Sequence, residues 1–134
     1  MTRVATRPVR QKQPSQRFTA AEKRYYAWLG LECTCCLTGQ TPFDLAHTGG
    51  LAEGKGMGVK AAVWTVLPLI RPLHMAEERG RLTFWRNAGF PDHLDWAIRL
   101  HDIFAVKGDP TPLLLDMQER ANRAFLRGIL ERVR

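Results

Sequence analysis

Apolar positions recur with two different periods along this chain. Toward the C-terminus, Leu114, Met117, Ala121, Ala124, Phe125 and Ile129 follow one another at three- and four-residue steps, which predicts a long helix with an apolar stripe. Thr111 and Pro112 suit its start as cap and first helical residue. Gly108-Asp-Pro110 breaks the helix before it, which opens at Pro91-Asp92 and puts Leu94, Ile98 and Phe104 on its inner side. A shorter helix covers Leu82 to Ala88 and closes at Gly89. Near the other end, Thr19-Ala-Ala-Glu22 fits a capping box, and a helix runs from there through Tyr25, Tyr26, Trp28 and Leu29 until Gly30 ends it. Between these helices the period shortens. Phe43 to His47 reads as one short strand, and Trp64 to Ile70, rich in β-branched and aromatic residues, as a second. Pro72 then suits the first turn of a helix that carries His74, Met75 and Glu78 to Gly80. The class this predicts is α+β, a small ββα unit embedded in helices.

The remaining segments read as irregular. Cys33-Thr-Cys35-Cys36 is a knuckle or turn, with Gly39 and Pro42 as breakers. Residues 48–60 hold Gly49, Gly50, Gly54, Gly56 and Gly58, too many for a helix or a strand, so an exposed loop is expected there. Residues 1–18 carry Arg3, Arg7, Arg10, Lys12 and Arg17 without an acid and with Pro8 and Pro14, which predicts a flexible, disordered basic arm. Residues 19–134 then form a single domain. The C-terminal stripe either covers that domain's core or pairs with a second subunit.

Composition narrows the class. With 134 residues, 45% of them hydrophobic, the chain can bury one core. No apolar run approaches the roughly 20 residues that span a bilayer, and no apolar segment near the N-terminus suggests a secretory signal. Three cysteines in four positions make no disulfide framework, so a reduced, cytoplasmic chain is expected. The net charge of +7 and the pI of about 9.9 favour a polyanionic partner, most often nucleic acid.

Candidate chemistry concentrates between Cys33 and Glu78. His47 ends a strand beside an open loop, where a neutral imidazole can act as general base on a water. His74 and Glu78 stand four apart, on one helix face, and can reach a single divalent cation: Mn²⁺, Zn²⁺, Ni²⁺ or, less strictly, Mg²⁺. Glu77 is turned about 100° from that face. Cys33 and Cys36 form a C-x-x-C pair, either half of a structural zinc site or thiols that fill the core. Lys55, Lys60 and Arg71 suit phosphate contacts, as do Arg7 and Arg10 in the arm. The glycine loop lacks the G-K-[ST] ending of an NTPase, and no Gly-x-Ser-x-Gly element is present.

Taken together, the C-x-x-C pair, Ala46-His47, Gly56-Met-Gly-x-Lys60, Trp64, Pro68-Leu69, His74 and Phe84-Trp85 ahead of Gly89 resemble small HNH-like (ββα-metal) nucleases of phages and prophages, related to the Ref-type recombination nucleases. The resemblance spans roughly Cys33 to Phe104. It implies His47 as the general base, His74 as the first metal ligand of the helix, and Cys33 and Cys36 as half of a zinc knuckle. Ile70, Leu73 and Val63 stand where the family carries a cysteine, a histidine or cysteine, and an Asp or Asn, and Glu78 stands in for the last helix histidine. Two readings follow: a metal-dependent DNA endonuclease or nickase, or a degenerate HNH fold that binds DNA, or a phage or host protein, without cleaving. Both place the chain in the cytoplasm of a bacterial host.

Overall fold

The computed structural model describes residues 19–49 and 63–132, the side chains as far as 125. Among them are five α-helices and a two-stranded antiparallel sheet, an α+β arrangement dominated by helix. In chain order they are α1 (Ala20–Glu32), β1 (Asp44–His47), a 3₁₀ turn (Val63–Thr65), β2 (Val66–Leu69), α2 (Arg71–Arg79), α3 (Arg81–Asn87), α4 (His93–Ala105) and α5 (Thr111–Arg132). No helix among the described residues is long and apolar enough to cross a membrane. The arm and most of the glycine-rich loop, with Arg7, Arg10, Lys55 and Lys60, lie outside the described residues.

α1 starts where its capping box is written. The Thr19 hydroxyl accepts from Glu22 N at 3.1 Å and the Glu22 carboxylate accepts from Thr19 N at 2.7 Å. Gly30 does not end it. The helix continues to Glu32, and Cys33, in extended conformation, caps it by donating its N–H to Leu29 O. Glycine lowers helix stability by about 1 kcal/mol, too little to stop a helix whose next turn is already hydrogen-bonded.

The hairpin is shorter than its sequence pattern. β1 begins at Asp44 rather than Phe43, and Val63 to Thr65 wind into a 3₁₀ turn before β2. Asp44 faces Leu69, Leu45 faces Pro68, Ala46 faces Leu67 and His47 faces Val66. Pro68 has no N–H to give to a ladder, yet its carbonyl accepts from Cys36 N at 2.9 Å, so the cysteine turn closes that edge. All of β2 is buried.

The core gathers Tyr25 and Leu29 of α1, the three cysteines, β2, Trp85, Phe90, Trp96, Leu100 and Met117. Two helix faces differ from the apolar pattern. α4 buries His93, Trp96, Ala97 and Leu100, a clean i, i+3, i+4, i+7 stripe, while Ile98 is exposed. His93 joins that stripe because its ring stacks on Trp85 at 4.9 Å with an interplanar angle of 4°. α5 buries Leu113, Leu114 and Met117, but Phe125 stands exposed. Thr111 is not the cap of α5: Pro110 O accepts the first helical bond, and the Asp109 carboxylate takes Thr111 N–H. Gly89, at φ +92°, lets α5 come close, since a Cβ there would lie 2.9 Å from that of Ala124.

One buried polar group in this core has no partner among the described residues, the Tyr25 hydroxyl. Burial, and then the nearby Cys33 and Tyr26, push its pKa upward. The ring itself is well packed, 4.7 Å from His101 and 4.9 Å from Phe104. Tyr25→Phe is therefore expected to raise stability by about 1 kcal/mol, the lower end of the cost of an unsatisfied buried hydroxyl. Urea unfolding checks this, and a loss of stability would mean that the hydroxyl is bonded.

Candidate functional site

α2 lies along β1 because both of its ends are tied there. At the first end Arg71 grips Asp44 with two bonds, Nε to Oδ2 at 2.8 Å and Nη2 to Oδ1 at 3.2 Å. Just past the other end Arg81, the first residue of α3, donates Nη2 to His47 O at 3.3 Å and Nη1 to Gly49 O at 3.0 Å. His74 and Glu78 lie between these two ties, one turn apart.

The His74 ring is held from both sides. Its Nδ1 is 3.0 Å from Asp44 Oδ2 and its Nε2 is 3.4 Å from Glu78 Oε2. A carboxylate can only accept, so Nδ1 donates to Asp44, and Nε2 and the Glu78 oxygen, both acceptors when the ring is neutral, face each other with room for a proton or a cation between them. A carboxylate that fixes the tautomer of a metal-binding histidine is a recurring device. The donor pair also fits a cation. Ligand distances of about 2.1 Å at a tetrahedral angle separate two donors by about 3.4 Å. Asp44 cannot join the same cation through this geometry, since it occupies the opposite ring nitrogen. Accordingly, among the described residues no three His, Cys, Asp or Glu side chains converge to hold a metal ion. The hydrogen bond from Arg71, and next that from His74, hold the Asp44 carboxyl below the usual range. Arg71 stays 73% exposed despite its pairing, so its guanidinium remains open to solvent on the rim.

His47 meets other partners. Side chains alternate along a strand, so His47 and Leu45 leave the face opposite to Asp44 and Ala46. The His47 Nε2 is 3.3 Å from the Tyr26 hydroxyl, and the two rings meet edge to face at 6.1 Å. A cleft of about 380 Å³ opens on this side, lined by Tyr26, Gly30, Thr41, Pro42, Phe43 and Leu45. The structure thus joins His74 to both Asp44 and Glu78, and joins His47 to Tyr26 of α1.

Cys33, Cys35 and Cys36 are buried as free thiols in a tight turn, in which Cys35 O accepts from Gly39 N and Cys35 N donates to Gln40 O. Burial pushes the Cys33 thiol up to about 12, with the Glu32 charge adding to it. Burial raises Cys36 as well. All three cysteines belong to the hydrophobic core, and their turn is tied to β2 by Cys36 N–H to Pro68 O.

Behind the site lie three polar residues whose burial the sequence pattern does not show. Glu77 is 1% exposed and accepts from Arg81 Nε at 2.8 Å and from Trp85 Nε1 at 3.2 Å. His93 donates from Nε2 to Thr48 O at 3.1 Å. Thr48 N and its hydroxyl both donate to Thr65 O, at 3.0 Å and 2.6 Å. The signal for the first pair was present: Glu77 and Arg81 have i, i+4 spacing across Gly80, where one helix runs into the next.

No protein-family model, curated protein or solved structure matches this chain.

Proposed function

We propose that the chain is an HNH-type, metal-dependent nuclease that hydrolyses a phosphodiester in DNA, of phage or prophage kind. One observation carries the reading. A hairpin whose first strand ends in His47 runs directly into a helix whose His74 and Glu78 donors stand 3.4 Å apart, with Asp44 bonded to the other ring nitrogen of His74. This order of strands and helix supports the reading. His74 and Glu78 would hold a divalent cation, which supplies Lewis-acid stabilisation of the charge developing on the phosphate. His47 accepts a proton from the attacking water. Arg71, with Lys55, Lys60 and the arm residues Arg7 and Arg10, contacts the phosphates, as the charge of +7 favours. A zinc on Cys33 and Cys36 is not needed for this chemistry.

The second reading is a degenerate HNH fold that binds DNA or a protein without cleaving it. The observation that favours it is the separation of partners: His47 bonds to Tyr26, while His74 bonds to Asp44 and Glu78 on the other face. Supercoiled plasmid separates the two. The nuclease gives nicked or linear DNA in at least one of Mg²⁺, Mn²⁺, Ni²⁺ and Zn²⁺, and none with a chelator. Intact plasmid in all four, with a retained gel shift, rejects cleavage and leaves the binding module.

A further inference from the structure

We infer that Arg81 is the positioning residue for His47, and that Glu77 aims it. The proposal rests on the reading of His47 as general base, but its structural part stands apart from that reading. Three consecutive carbonyls leave β1, those of His47, Thr48 and Gly49, and each accepts a bond from a side chain of the helical layer. Arg81 takes the first and third, and His93 takes the second. Backbone leaving a two-stranded sheet has few ladder bonds to hold it, so these side chains, together with the two bonds from Thr48 to Thr65 O, fix the backbone from His47 to Gly49.

The guanidinium suits this task. It is a planar fork with donors in fixed directions, and here one edge meets a carboxylate while Nη1 and Nη2 meet two carbonyls. Its aim is set by Glu77, which is buried and also tied to Trp85. Trp85 in turn stacks on His93, so both clamping side chains share one support. Adjacent residues of α2 therefore serve two ends of the site. Glu78 faces the outer side with His74, and Glu77 faces inward and fixes the strand that carries His47. The same helix thereby sets the relative position of the cation donors and the base.

Arg81→Lys tests this in the full chain. Lysine keeps the charge beside Glu77 but has no fork, so it cannot hold both carbonyls and the carboxylate in one plane. The readout independent of cutting is the ¹⁵N and ¹H spectrum of the His47 imidazole, which lies against the Tyr26 ring. We expect the His47 signals to move or broaden while those of His74 stay in place. At saturating DNA the cutting rate should fall about 10- to 100-fold with KM unchanged, the cost of a small misplacement of a reacting group. Unmoved His47 signals in a folded Arg81→Lys protein overturn the proposal. If that variant does not fold, Glu77→Gln replaces it, since it keeps size and a partner for Trp85 while loosening the guanidinium. There too, moved His47 signals support the assignment and unmoved ones reject it. A wild type that cuts no DNA removes the nuclease reading, and the spectrum alone then decides the role of Arg81.

Discussion

His47→Ala is expected to cut DNA about 10²-fold more slowly than the wild type, and His74→Ala to lose cutting altogether. The first figure is the usual contribution of a general base. The second follows from the donor count. His74 and Glu78 are the pair placed for a cation, and the loss of the imidazole leaves one exposed carboxylate, too weak a site to fill. The two variants should also differ in what they leave intact. DNA affinity in low salt should barely change for His47→Ala, because a neutral imidazole adds little to an interface dominated by phosphate contacts. Mn²⁺ titration by calorimetry should show weakened binding for His74→Ala and unaltered binding for His47→Ala. Equal cutting by wild type and His47→Ala would remove His47 from the mechanism. Unaltered Mn²⁺ binding by His74→Ala would move the cation site elsewhere.

The parts of the fold that were legible in the sequence are those decided locally. The capping box at Thr19 and Glu22, the helix opened by Pro72 and the stop at Gly89 each depend on residues within a turn of one another. The errors arise where tertiary packing overrides a local preference. Glycine weakens helices, so Gly30 predicts a stop, but the Cys33 N–H completes another turn. Hydropathy puts Leu94 and Ile98 on the inner face of α4. The observed face instead includes His93, a polar residue made buriable by its stack on Trp85 and its bond to Thr48 O.

The site divides in the same way. His74 and Glu78 could be paired from spacing alone, because i and i+4 share a helix face. Asp44 could not be assigned to His74, since the contact bridges 30 residues and depends on how α2 lies along β1. Glu77 is turned away from His74 on the helix, and the consequence is burial rather than exposure: the side chain points inward, to Arg81 and Trp85. A charged residue between Ala76 and Glu78 carries no hydropathy signal for burial, so only its i+4 arginine marks it.

That inward pair carries a large expected stability effect. Arg81→Ala should destabilise the fold by about 3 to 5 kcal/mol, the range for stranding one partner of a buried ion pair. The exposures decide which partner matters. The Arg81 side chain is 25% exposed and could return to water, whereas that of Glu77 is 1% exposed and could not. Loss of the guanidinium leaves the carboxylate with Trp85 Nε1 as its described donor, and it also releases the carbonyls of His47 and Gly49. Adding Glu77→Gln to Arg81→Ala removes the stranded charge but not the lost carbonyl bonds. The double variant should therefore recover about 2 kcal/mol or more, a coupling that a cycle of urea unfolding measures. With no recovery, the cost of Arg81→Ala would come from the carbonyl clamp rather than from the charge. A loss below about 1 kcal/mol in Arg81→Ala itself would class the pair with ordinary surface ion pairs.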